Sequence, residues 1–231
     1  MLIHKQRPLN YSIFLFFGLC VPCFHSFAQN IETGNQAFQV GEKLTFSVGW
    51  EFINAGTAEL TVEDIQTVKN KPCYHITAVT NSNTFFSTLY KVRDRLETFV
   101  DIERLYPLKY IKHQYEGGYK RDFEVDFDQD GFKAAIADAD SGKSEISVPP
   151  AVQDIISAFY FVRAQPLIVG QSFELHTFDN GKVRMSTVKI IKKEKISVTA
   201  GDFDCILVKT PIGPFNNKTD LRIWLTDDKR K

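Results

Sequence analysis

The chain has 231 residues, 28 Lys+Arg against 28 Asp+Glu, 43% hydrophobic residues and 13% aromatic ones. That length fits one domain with a sizeable core. Balanced charge without a basic run leaves no electrostatic footprint for nucleic acid, so that class of partner is excluded.

The N-terminus reads as an export signal. His4, Lys5 and Arg7 form a positive start, and 13–24 is an apolar run of about a dozen residues, too short to span a bilayer comfortably. Ser26 and Ala28 place small residues at the −3 and −1 positions, so cleavage is expected after Ala28. Cys20 follows Leu19 and Cys23 follows Pro22, neither of them small, which argues against a lipid anchor. The Cys20-x-x-Cys23 spacing falls inside the discarded segment and carries no redox meaning. No later stretch is apolar enough for a membrane span. The expected location is the periplasm or the outer-membrane surface, in soluble form after signal cleavage. Residues 29–40 read as a loose leader and 41–231 as one β-rich domain. Cys73 and Cys205 remain, and two cysteines in an exported protein either pair or stay as buried thiols in separate strands.

From residue 41 the chain reads as strands. Leu44, Phe46, Val48, Trp50 and Phe52 alternate with Thr45, Ser47, Gly49 and Glu51, the period of a sheet wet on one side. A turn at 54–56 leads to a return strand through Ala58, Leu60 and Val62. Strands follow at 73–79, 92–101 and 108–116, with 85–90 as a short helical turn or a loop. Gly117-Gly118 is a tight hairpin turn. Beyond it Arg121, Phe123, Val125 and Phe127 alternate with Lys120, Asp122, Glu124 and Asp126. A strand at 132–137, a polar stretch at 138–149, and strands at 173–178, 183–196, 205–210 and 221–226 complete the pattern. One convincing helix interrupts it at about 155–164. Asp154 is its N-cap and Pro166 ends it. Ile155, Phe159 and Val162 make one apolar stripe; Ile156, Tyr160 and Arg163 make a second. A helix apolar nearly all round is buried on more than one side. The fold class is therefore mainly β, a strongly curved antiparallel sheet or open barrel with one buried helix.

Several stretches carry a resemblance. Phe-Gln-Val-Gly-Glu-Lys-Leu-Thr-Phe (38–46), Ala-Gly-Thr-Ala-Glu-Leu (55–60) and Leu-Tyr-Lys-Val-Arg-Asp-Arg-Leu-Glu-Thr-Phe-Val-Asp (89–101) resemble the bacterial exported domain of unknown function family 3108. So do 119–128, 154–163 and Thr-Ala-Gly-Asp-Phe-Asp-Cys (199–205). The resemblance implies a signal-bearing, mostly β envelope protein and transfers no catalytic residue. It also implies a further strand beyond 227–231, where this sequence stops.

Three constellations could carry chemistry. Asp126-x-Asp128-x-Asp130-Gly131 matches the first half of a calcium loop, but Ala137 stands where the bidentate Glu belongs, and a hairpin turn explains the same residues. Arg93, Arg95, Glu97 and Asp101 share a strand face, and Lys120, Asp122, Glu124 and Asp126 share another. If those strands pair, the charges form cross-strand ladders. The two arginines then become candidates for an anionic head group, with Tyr160 and Arg163 as further ligand-binding candidates, set against the plainer reading of a solvated outer face. His75, His113 and His176 lack metal-ligand spacing, and no G-x-S-x-G, P-loop or Rossmann glycines occur. No cofactor and no catalytic residue is assigned. The expected function is a non-enzymatic envelope protein holding an apolar or lipid-like ligand in the sheet concavity. The alternatives are a scaffold with a permanently packed interior and a hydrolase with an unrecognised site.

Overall fold

The computed structural model describes residues 35–50, 53–198, 200–210 and 221–231, together with the two-residue strand Phe14–Leu15. The export-signal reading otherwise lies outside the described residues. Nine antiparallel strands follow one another in strict chain order: Phe14–Leu15 (β1), Lys43–Trp50 (β2), Ile53–Val68 (β3), Lys71–Ser82 (β4), Arg93–Asp101 (β5), Pro107–Glu116 (β6), Tyr119–Asp128 (β7), Lys133–Asp138 (β8) and Gly142–Ser147 (β9). A second antiparallel sheet holds Ser172–Asp179 (β10), Lys182–Val198 (β11), Gly201–Thr210 (β12) and Leu221–Thr226 (β13). Two helices, Thr84–Leu89 (α1) and Ile155–Ala164 (α2), interrupt the strands. Among the described residues the two sheets do not close into a barrel.

The first hairpin turns earlier in the chain than the glycine pattern suggests. Trp50 pairs with Ile53, so the turn falls before Asn54, and Asn54–Gly56 belongs to β3. Gly56 is required there for a different reason: a Cβ would sit 2.1 Å from the Asn81 carbonyl oxygen on β4. Irregularities at Val48/Gly49, Val62/Asp64 and Phe99/Val100 break the ladders and add local twist. The polar 138–149 stretch supplies the short β9, whose residues are mostly exposed.

α2 lies between the two sheets. Asp154 accepts from the amides of Ile156 (2.8 Å) and Ser157 (2.9 Å), and Ser157 Oγ accepts from the Asp154 amide at 2.9 Å, a complete capping box. The helix ends at Gln165, which is extended ahead of Pro166. Ile156 and Tyr160 enter the core of the large sheet with Val62, Ile76, Tyr110, Phe127 and Phe178. Ala158 and Val162, offset round the helix, enter the core of the small sheet with Leu175, Val188, Ile206 and Leu225. Phe159 is only half-buried and touches both cores; the fully enclosed side chains of the helix are Ser157, Tyr160 and Arg163.

The segment before the helix is pinned to both sheets. Gln153 pairs with Thr177 in a parallel bridge, its amide donating to the His176 carbonyl at 2.9 Å. Its side-chain Nε2 donates to the Leu105 carbonyl at 3.1 Å, and Gln129 Nε2 donates to the Val152 carbonyl at 3.1 Å. Residues 35–40 are not a loose leader. Ala37 and Phe38 are buried, and Phe38 packs edge-on against Tyr74 (5.1 Å between centroids) and Tyr160 (4.6 Å).

Candidate functional site

The inward face of the large sheet is divided. Strand alternation aims Val62, Ile76, Val100, Tyr110 and Val125 at α2, and all are buried. Farther along the same face, toward α1, Ala58, Leu60, Ala78, Thr80 and Leu96 are only half-buried. The helix therefore covers one half of the concavity, and in the other half these side chains are only partly covered, beside the buried Leu44, Phe46 and Phe123.

Lys112 sits on that face, opposite Leu96 across the β5–β6 ladder. It is 8% exposed. Its Nζ donates to Asn180 Oδ1 at 3.3 Å, and Arg121 Nη1 donates to the same oxygen at 2.9 Å. Asn180 stands at the tip of the β10–β11 hairpin at φ 49°, followed by Gly181 at φ 78°, so the turn chemistry delivers the carboxamide onto the large sheet. Both cations lie over the Phe123 ring, 5.8 Å (Lys112 Nζ) and 5.2 Å (Arg121 Cζ) from its centroid. Arg121 is also paired with the buried Asp138, through Nε at 3.2 Å and Nη2 at 2.9 Å. Among the described residues no carboxylate reaches ion-pair distance of Lys112, whose hydrogen bond is to a neutral oxygen.

The electrostatics follow from that geometry. Burial lowers the Lys112 pKa, opposed mainly by the Asp179 carboxylate. The Arg121 guanidinium, with the amides of Asp140 and Ser141, holds Asp138 down to about 2. Burial pushes Asp94 up to about 6, against the Tyr115 amide that donates to it at 2.9 Å; the Glu116 carboxylate pushes the same way as burial. The arrangement offers an anion a buried ammonium, a neighbouring guanidinium and an aromatic floor beside apolar surface.

The candidates read from the sequence do not converge. Arg93 and Arg95 lie on the outer face, where Arg95 Nε donates to Glu97 Oε1 at 2.9 Å. Tyr160 and Arg163 lie inside. Arg163, 0% exposed, binds Glu42 through Nη1 (2.7 Å) and Nη2 (2.8 Å) and donates to the carbonyls of Ala37, Arg230 and Lys231. It ties α2 to both ends of the described domain. β5 and β7 are not neighbours either, because β6 runs between them. The outer ladders instead pass through β6 as Lys109–Glu124 (2.6 Å) and His113–Asp122 (2.7 Å).

The calcium candidates are dispersed onto other partners. Asp130 faces Lys71 (3.5 Å) and Arg104 (3.8 Å), Asp126 faces Lys69 (4.0 Å), and Asp128 accepts from the Gly131 amide in a turn. Among the described residues no group of three or more His, Cys, Asp or Glu is placed to hold a metal ion. Cys73 and Cys205 are buried free thiols, because they belong to different sheets. His75 Nε2 meets Glu97 Oε2 at 2.7 Å and stacks on Phe99 (4.7 Å between centroids) on the outer face. Burial pushes Glu97 up, but its Arg95 and His75 hydrogen bonds outweigh this and leave it lowered. Sequence reading missed Lys112. The available signal was its place two residues after the inward-facing Tyr110 of β6, where a lysine interrupts an apolar stretch.

The family model described as "Protein of unknown function (DUF3108)" matches residues 45–231. No curated protein matches the chain. A solved structure of a beta-barrel-like protein of domain of unknown function DUF1849 from Brucella abortus is similar at 9% identity and a TM-score of 0.43, over 74% of this chain and 76% of that one. Among the described residues no helix is long and apolar enough to cross a membrane.

Proposed function

The chain belongs to the DUF3108 family of proteins of unknown function, and from the geometry of its concave face we propose a non-enzymatic envelope protein that binds an anionic amphiphile. The head group is held by Lys112 and Arg121, and the apolar part lies along Leu60, Ala78 and Leu96. The observation that carries this reading is Lys112. A buried ammonium is costly unless an opposite charge and hydrogen bonds compensate it. Here its hydrogen bond is to the neutral Asn180 carboxamide, shared with a second cation. A phosphate, sulfate or carboxylate taking the place of Asn180 would add a directly bonded countercharge to the more distant Asp179, Asp94 and Glu116. The half-buried apolar wall next to Leu96 gives the rest of such a molecule a surface to cover. The envelope location rests on the positive, apolar and small-residue pattern of residues 1–28.

A second reading is favoured by the other half of the concavity, where Tyr160 and Phe178 are fully enclosed. There the helix fills the hollow as a permanent scaffold would. Mass spectrometry of organic extracts from protein purified without detergent separates the two. A stoichiometric anionic amphiphile in the wild type, missing from Lys112→Met, is the expected result. A clean wild-type extract would favour the scaffold.

A further inference from the structure

The short helix α1 holds two large apolar side chains outside the protein. Ser87 faces inward, its Oγ 2.7 Å from Ser82 Oγ, with Phe86 half-buried beside it, and the Asn83 cap accepts from the Phe86 amide at 2.9 Å while its Nδ2 donates to the Asn54 carbonyl at 2.6 Å. Phe85 and Leu89 share the outer side with Thr84 and Thr88. Phe85 is 67% exposed and Leu89 75%, one helical turn apart, and no residue of α1 is buried. Tyr90 and Tyr119 continue the patch, both exposed, with Tyr90 seated on Gly117 of the β6–β7 turn. These contacts fix the presentation, so the apolar face is held outward by the fold. An exposed Phe85–Leu89 pair suits an apolar medium on its outer side.

We infer that this end of the sheet docks on an anionic lipid surface, with Phe85 and Leu89 inserted among the acyl chains and Tyr90 and Tyr119 at the headgroup level. Two further observations favour a bilayer over a protein. The patch exposes roughly 500 Å², taking about 150–250 Å² for each large side chain, which is short of the roughly 800 Å² per partner of a stable protein interface. Cations flank its residues in the chain: Lys91 follows Tyr90, the exposed Arg93 comes two residues later, and the exposed Lys120 follows Tyr119 and lies 5.4 Å from the Tyr115 ring centroid. The nearest carboxylates, Asp94 and Glu116, are half-buried and lie close to Lys112. Aromatic side chains at the interface and lysines beside anionic headgroups is the pattern of a protein that lies on a membrane.

The test is flotation with vesicles of phosphatidylglycerol and phosphatidylethanolamine, against phosphatidylcholine alone, comparing wild type with F85S/L89S. Both proteins carry the same N-terminal segment, so its contribution cancels. Wild type is expected to float with the anionic vesicles, and the double variant to lose about tenfold or more of that binding with an unchanged thermal melt. Equal flotation of the two proteins, or none by the wild type, overturns the inference. So does a wild-type dimer that the substitutions dissociate, because a second copy would then cover the patch. Lys112→Met is expected to float like the wild type, which keeps this result separate from the ligand-binding reading.

Discussion

Arg163 Nη1 lies 2.7 Å from Glu42 Oε1, joining the last turn of the central helix to a residue 121 positions earlier in the chain. Arg163 is fully enclosed and Glu42 nearly so, its side chain 13% exposed. Removing one member of a buried pair strands the other charge, at a cost of about 3–5 kcal/mol. Glu42→Ala is expected to destabilise by that order in urea unfolding. Glu42→Ala combined with Arg163→Met is expected to be less harmful than Glu42→Ala alone, because no charge is then left behind. If Glu42→Ala changes stability by under about 0.5 kcal/mol, the pair does not hold the helix in place.

Asp154 does two jobs at the helix start, capping two amides and accepting from Thr98 Oγ1 at 2.5 Å. Asp154→Ala is expected to cost about 2–3 kcal/mol, combining a lost cap with a buried hydroxyl left unpaired. Asp154→Asn, which keeps an acceptor, should recover most of it. Equilibrium unfolding of the three proteins checks this, and equal losses for both variants would contradict it.

Asp94 gives the fold a pH signature. Its folded pKa, pushed up to about 6, lies above the ordinary aspartate value of 3.8, so the folded state holds the proton more tightly than the unfolded one. Stability is then lowest, for this group, above about pH 6, and it rises as pH falls from about 6 toward 3.8. Asp94→Asn is expected to stabilise the protein at pH 7.5 and to make little difference at pH 4. A variant that behaves the same at both values would remove Asp94 as the source.

The thiols are expected to be inert. Burial, and then the Asp101 carboxylate, pushes Cys73 up to about 11, and burial also raises Cys205. Peptides containing Cys73 and Cys205 should carry an alkylating label only when the protein is labelled after unfolding. Reductant should leave the unfolding midpoint unchanged, whereas loss of a native disulfide costs about 2–5 kcal/mol.

Much of the fold was legible because it is local. Phe123, Val125 and Phe127 alternate with polar residues, and all three are buried. Asp154 caps the helix as its carboxylate and position imply, and the helix is buried on two sides because it is apolar nearly all round. The strands follow chain order, so each sequence hairpin is also a spatial neighbour. The site was not legible because its members meet through long-range docking. Lys112 and Asn180 are 68 residues apart and touch only because the β10–β11 tip folds over the large sheet. Arg163 carries the helix pattern in sequence, but its partner Glu42 sits at the start of the first long strand, and no periodicity links the two. Arg93 and Arg95 share one charged strand face, and that face is the outer one.

The most direct measurement is calorimetric titration of wild type and Lys112→Met with dodecyl phosphate and with dodecanol, matched in chain and different in head. The wild type should prefer the phosphate, and Lys112→Met should lose about tenfold or more of that affinity while its dodecanol binding stays the same. Equal affinities of the two proteins for the phosphate would contradict Lys112 as the head-group site, and with it the proposal that the open half of the concavity is a binding site for anionic amphiphiles.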